Sequence, residues 1–492
     1  MYTESMDNTA SSVNPLHDEQ YLESNKTKTQ HNEEDPDDIN NSDEDDEDDD
    51  DDDLYYVSWE DLAPKIQALC KTIWPTAHHD QTQLSFLAEG SYNKIVSVSL
   101  NTNEVHREYV IRIPCNESTI LSSVAILRHL RQETKLKVPG VISYDNTRNN
   151  PLEYGYIVLE KVPGVPLEQC LDDLTQHQRL TLAREIGELY VQLRSIKYPA
   201  AGFLKVPLEE TESFVDHPES CLIVEPYGAS TDRFPWEINC EDASNEFIAL
   251  DRLKKDPQDL PCDEMMLLPF RRRLYHFSHG PHPSTRRLED LQFLLEMIQD
   301  MVKRGHFTNS QSSGFCLWHQ DLWPRNIMVN LDASPMISGV LDWDDPVFAP
   351  AFIAATPPWW LWQNEEEEES VDSDVPIFED SEMEPIAREA LEADTPENSE
   401  VKRAFEDVVG QQWVHQAYQP EFAYARRALA LARLSLWSDT HVLAFFEMKD
   451  MWLKHVQESM TGPIDTELDV KGGDNTHLEL SDGEEERDFT IS

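Results

Sequence analysis

The sequence predicts an α+β chain in which a small strand-rich lobe precedes a larger helical lobe, with acidic segments outside both. Three observations carry this reading. β-rich runs at Ile95, Val96, Val98, Leu100 and at Tyr109, Val110, Ile111, Ile113 flank an NTNE turn, and Tyr156, Ile157, Val158 and Leu159 form a further apolar run. Beyond Pro163, apolar residues recur at helical spacing in 178–194, 286–303 and 421–437. Residues 43–53 are unbroken Asp and Glu, which repel one another and have nothing to bury.

The elements follow in order. Residues 1–54 read as a disordered acidic tail. Leu62, Ile66, Leu69, Ile73 and Trp74 mark an amphipathic helix stopped by Pro75, with Ser58 and Asp61 as a candidate capping box and Pro64 close to its start. The two strands around the NTNE turn come next. Ile120, Val124, Leu127 and Leu130 make a second helix, and strands follow near Val141 and at Tyr156. The strand-rich lobe thus spans 55–162 and the helical lobe 163–460. The helical lobe carries an acidic insert at 364–400, and a Gly-, Asp- and Glu-rich tail fills 461–492.

Charge narrows the function. The 492 residues contain 95 Asp and Glu against 40 Lys and Arg, a net charge of −55. Phosphate backbones and anionic membranes need positive partners, so nucleic-acid and membrane-surface binding are excluded as expectations. Basic proteins are the partners that the acidic tails would suit. Seven scattered Cys without a CxxC pair fit reduced thiols. No apolar run is long enough to span a bilayer, and the first residues lack a signal or transit pattern, so the expected compartment is the cytoplasm, with the nucleus also open.

The chemistry concentrates in 314–350. His319-Gln320-Asp321 is followed by Asn326, five residues past the Asp, and an apolar hairpin then leads to Asp342-Trp343-Asp344. A loop Asp can take or orient the proton of a substrate hydroxyl, an Asn beyond it can hold magnesium, and an Asp returned by a hairpin can bridge metal to phosphates. Oxygen ligands of this kind suit a hard cation.

This segment resembles the aminoglycoside phosphotransferase and choline-kinase-like enzymes, in particular their uncharacterised fungal members. Their pattern is H-x-D-x-x-x-x-N followed by D-W-[DE], and HQDLWPRN and DWDD match it. The resemblance covers roughly 85–440. It implies a bilobal protein-kinase-like fold and an ATP- and Mg-dependent phosphotransferase acting on a small-molecule hydroxyl. Asp321 would be the catalytic carboxylate, and Asn326 and Asp342 the magnesium ligands. FLAEGSYNK at 86–94 sits where the family covers the phosphates, which assigns Gly90, Ser91 and Asn93 to nucleotide binding. Arg112 in VIRIP takes the place of the phosphate-pairing Lys. The linker YIVLEKVPGVPL would meet adenine through the backbone from Glu160 to Val162.

Other readings stay beside this one. Ser123 stands where the second helix should carry a Glu to pair with the strand cation, with Glu117 and Glu133 as the nearest acids. An unpaired Arg112 would favour an inactive, pseudokinase-like interaction protein. His319 is expected to be structural. Asp344 and Asp345 are expected to support the fold or to face a cationic acceptor. His276, His279 and His282 read as a solvated loop, and Arg271, Arg272 and Arg273 as a solvated helix face.

Overall fold

The computed structural model describes residues 57–75, 77, 82–89, 93–101, 106–207, 218–226, 261–279, 285–308, 315–363, 393, 395–434 and 439–461. The expected N-terminal tail, the C-terminal tail beyond Thr461, most of the 364–400 insert, and Gly90 and Ser91 lie outside the described residues.

Helix α1 (Trp59–Ile73) starts at Ser58, whose Oγ accepts the Asp61 N–H at 3.2 Å and donates to the Asp61 carboxylate at 2.8 Å. Pro64 lies inside the helix, beyond the cap. Strands β1 (Thr82–Glu89), β2 (Asn93–Asn101), β3 (His106–Pro114), β4 (Val141–Asp145) and β5 (Tyr156–Glu160) form one antiparallel sheet in the order β1-β2-β3-β5-β4. Leu62, Ile66 and Leu69 of α1 pack against Val96, Val98, Ile111 and Ile113 of the sheet. The two-residue strand period sends Ile111 and Ile113 into this core and turns Arg112, between them, to the opposite face.

Helix α2 (Thr119–Glu133) covers that opposite face with Ile120 and Val124 against Ile157. Its remaining apolar residues, including Ile126 and Leu130, join the largest core cluster of the helical lobe. One helix therefore packs on both lobes.

The chain crosses over at 161–164. Gly164 has φ +104°, and a Cβ there would sit 2.1 Å from the Val329 carbonyl oxygen. Only glycine lets the backbone lie this close in that conformation. Strand β6 (Val165–Pro166), helix α3 (Gln176–Ser195), β7 (Lys197–Tyr198), β8 (Gly202–Lys205) and β9 (Ile223–Pro226) follow. Helices α4 (Cys262–His279) and α5 (Thr285–Lys303) lead to β10 (Phe315–Trp318), β11 (Ile327–Val329), β12 (Ile337–Val340) and β13 (Val347–Ala349). The end of the described chain is helical: α6 (Ala351–Ala354), α7 (Pro396–Val409), α8 (Gln411–Tyr418), α9 (Pro420–Leu434) and α10 (Asp439–Thr461). The strands of this lobe form a sheet β7-β10-β13-β8-β9 and a small sheet β12-β11-β6. The expected bilobal, kinase-like α+β architecture is the one observed.

Three expectations change. His276 and His279 belong to α4 rather than to a loop, because the helix runs on to His279; His282 lies outside the described residues. Arg273 is buried and donates to the Ala432 carbonyl at 3.0 Å, so it ties α4 to α9 instead of facing solvent. Helix α7 begins inside the range expected for the acidic insert. Thr395 caps it by accepting the Asn398 N–H at 3.1 Å, Pro396 opens it, and Asn398 and Val401 are buried.

Candidate active site

The turn after β10 is built from local bonds. His319 is buried, and burial lowers its pKa, so the ring is neutral. Its Nε2 donates to the Leu341 carbonyl at 2.8 Å, and the ring meets Trp343 edge-on at 4.5 Å. His319 thus pins this turn to the strand bearing the second motif, the structural role expected of it. Gln320 and Asp342 both take positive φ, 63° and 59°. Non-glycine residues held there are strained, and such strain collects at functional sites. Gln320 Nε2 donates to the Asp345 carbonyl at 2.6 Å, a second tie between the two motifs.

Asp321 and Asn326 come together as expected. Asn326 Nδ2 donates to Asp321 Oδ2 at 2.7 Å and to the Asp321 carbonyl at 2.9 Å. This orientation leaves the Asn326 Oδ1 to offer to a cation. Asp321 Oδ1 accepts from Arg325 Nη2 at 2.7 Å. The sequence reading missed Arg325, although its position four residues past Asp321 places it within reach on a helical turn.

Asp342 and Asp344 differ sharply. Burial, and then the charge of Asp344, pushes the Asp342 pKa up from 3.8 to about 6. Among the described residues no hydrogen bond claims its carboxylate. Burial would also raise the Asp344 pKa, but the Arg112 charge and hydrogen bonds, with Ser123, hold it below the usual carboxylate value. Arg112 Nη1 donates to Asp344 Oδ1 at 2.5 Å, Nη2 donates to Asp344 Oδ2, and Nε donates to Asn93 Oδ1 at 2.8 Å. Ser123 Oγ donates to Asp344 Oδ1 at 3.0 Å. One expectation is corrected here: Arg112 is paired, because the hairpin brings Asp344 to β3. Of the two roles open to Asp344, this contact has it supporting the fold rather than facing an acceptor.

An accessible carboxylate with a raised pKa and no hydrogen bond, near an amide oxygen, is a donor set that fits a divalent cation. Asp342 and Asn326 would hold magnesium.

At the crossover, the Glu160 N–H is taken by the Gly140 carbonyl at 2.8 Å and the Lys161 N–H by the Glu108 carbonyl at 3.3 Å. The Glu160 carboxylate pairs with Arg131 at 2.8 Å. Among the described residues no hydrogen bond claims the Val162 N–H. Of the linker amides, Val162 is therefore the one left to meet a base.

Residues 84–372 match the phosphotransferase enzyme family, more than half of the chain, and the chain belongs to that family. A subtelomeric hrmA-associated cluster protein of Aspergillus fumigatus is 26% identical over 326 residues, covering 58% of this chain and 62% of that protein. Altered inheritance of mitochondria protein 9 of Candida glabrata is 22% identical over 355 residues, covering 59% of this chain and 52% of that protein. The chain thus spans between half and two thirds of the length of these curated relatives. Among solved structures, the GDP complex of an aminoglycoside 2'-phosphotransferase-IIIa is similar with a TM-score of 0.41 at 13% identity, covering 79% of this chain and 98% of that one. Choline kinase from Cryptosporidium parvum is similar with a TM-score of 0.40 at 12% identity, covering 81% and 98%. No helix among the described residues is long and apolar enough to cross a membrane.

Proposed function

We propose that the protein is an ATP- and Mg-dependent phosphotransferase whose acceptor is the hydroxyl of a small molecule. One observation carries this reading above the others: Asp342 is exposed, held at positive φ, raised in pKa and without a hydrogen bond among the described residues, and the His319–Leu341 tie joins its segment to the Asp321–Asn326 pair. A cation is the partner that would satisfy a carboxylate in that state.

In this reading Asp321 orients the acceptor hydroxyl and takes its proton as the oxygen–phosphorus bond forms and the bond to the leaving ADP breaks. The hydrogen bonds from Arg325 and Asn326 fix its carboxylate in place, which suits it to orienting the hydroxyl. Arg112 restrains the phosphates, and the Val162 N–H receives the adenine. Gly90 and Ser91 are assigned to the phosphate cover by the family pattern alone. Bound magnesium supplies charge neutralisation on the transferred phosphoryl group. Most of the rate would come from positioning.

The acceptor side is mixed in charge. Arg325 stands at the mouth beside Asp321 and stacks near Trp323, with its guanidinium 5.9 Å from that ring. An acceptor carrying amines would have to approach past that cation. The expected cationic acceptor therefore rests on the overall acidity of the chain and not on a carboxylate at this mouth.

The deciding experiment is calorimetric titration of ATP into wild type and Asp342→Asn, with and without magnesium. Magnesium-dependent binding that disappears in the variant is the expected result. Absence of binding at millimolar ATP would sink the reading and leave an interaction protein that keeps the fold.

A further inference from the structure

The cation on β3 has a carboxylate partner that does not come from α2. We infer that Asp344, held by Ser123, is the positioning residue that sets Arg112 for the phosphates, in place of an acid on the helix. This rests on the proposed nucleotide site.

The geometry is that of a fork on a fork. Each Nη of Arg112 gives one N–H to one Asp344 oxygen, and Nε is spent on Asn93. Bidentate pairing fixes the guanidinium plane as well as its position. Three of its five N–H groups are used, so one on each Nη stays available for a phosphate oxygen. The Arg112 side chain is 11% exposed and that of Asp344 27%, so the pair is shielded from solvent but open on one edge.

Ser123 completes the arrangement from α2, on the Arg112 side. Its Oγ donates to Asp344 Oδ1 at 3.0 Å and lies 3.0 Å from the Thr119 carbonyl of its own helix. An acid at 123 would set two carboxylates against each other, whereas a hydroxyl adds a donor. The Ser at this position and the Asp two residues past Asp342 thus make one chemical unit. α2 still reports its position to Arg112, but through a hydrogen bond to a carboxylate carried by the helical lobe. The unit joins β2, β3, α2 and the segment after β12, and it forms only when both lobes are in register.

The position of Asp344 allows one competing role, a second carboxylate on magnesium. A double-mutant cycle separates the two in the full chain. Mg·ATP affinity, its magnesium dependence and the melting temperature are measured for wild type, Arg112→Met, Asp344→Asn and the double variant. The inference expects Asp344→Asn to weaken Mg·ATP by roughly 10- to 100-fold. It expects the double variant to bind no worse than Arg112→Met, and the magnesium midpoint to stay that of wild type. Losses that add, or a magnesium midpoint that moves in Asp344→Asn, overturn it. A charge relocation guards against loss of folding: Ser123→Glu combined with Asp344→Ala returns a carboxylate from the helix side and is expected to regain at least half of the logarithmic loss. No regain counts against the inference. If wild type itself binds no Mg·ATP, the proposed function fails separately. The Arg112–Asp344 coupling is then read from the melting temperatures of the same four proteins, where additivity overturns the pairing.

Discussion

The two halves of the site are made in opposite ways. Asp321, Arg325 and Asn326 meet within one turn, and their bonds join residues four or five apart. Arg112 and Asp344 meet across 232 residues of sequence. The first half is a local motif that forms whenever the turn forms, so its spacing can be read directly. The second exists only after a strand, a helix and a hairpin have been packed together. Local geometry secures the half around Asp321, while the half proposed to restrain the phosphates depends on the lobes being in register.

The comparison can be broken from its strongest point downwards. Asp321→Ala should lower turnover by about 10²- to 10⁴-fold while Mg·ATP affinity stays within a few-fold, because only the acceptor half is removed. Single-turnover assays beside calorimetry check this, and an equal loss in both would merge the two halves. Asp342→Asn should abolish magnesium-dependent ATP binding. It should also raise the melting temperature of the nucleotide-free protein at pH 8, by about 2–4 °C per kcal/mol relieved, since the variant removes a charge that desolvation and the neighbouring Asp344 disfavour.

The pH profile sharpens the same contrast. The folded Asp342 pKa of about 6 lies above the ordinary carboxyl value of 3.8, so the native state binds the extra proton. The stability this lends is present at low pH and is lost as pH rises through about 6. Magnesium needs the ionised form, so Mg·ATP affinity should fall about tenfold per pH unit below that value. Binding titrations from pH 5 to 8 measure it, and a flat profile would remove Asp342 from the metal site.

Smaller effects belong to the framework. Gly164→Ala adds a Cβ 2.1 Å from the Val329 carbonyl oxygen at positive φ, and should lower the melting temperature by roughly 5 °C or more. Ser123→Ala removes one donor from Asp344 and should weaken Mg·ATP only about threefold, with little change in melting temperature. Thermal scans and calorimetry of both variants would show whether the nucleotide half is as sensitive to its second neighbours as its long-range construction requires.

Much of the fold was legible because its signals are periodic. The expected helix through Ile120, Val124, Leu127 and Leu130 is α2, and the runs at Ile95 and Tyr109 are β2 and β3. Misreadings fell where a local cue competed with packing. Gly280 and Pro281 suggested a loop around His276, but helix α4 runs on to His279. Arg273 looked like part of a solvated patch, yet its neighbour across space is a carbonyl of α9. The start of α7 carried a legible Thr-Pro-Glu signal that the surrounding acidity masked.

By itself the sequence determined the two lobes, the acidic excess and the order of the His319, Asp321, Asn326 and Asp342 motif, because strand and helix periods and turn spacing are properties of neighbours along the chain. Only the tertiary structure decided which carboxylate Arg112 meets, which Asp lacks a hydrogen bond, and that Asn93 and Ser123 serve the same ion pair. Those choices depend on distances between residues far apart in sequence, and a buried charge takes whichever partner the packed lobes bring within hydrogen-bonding reach.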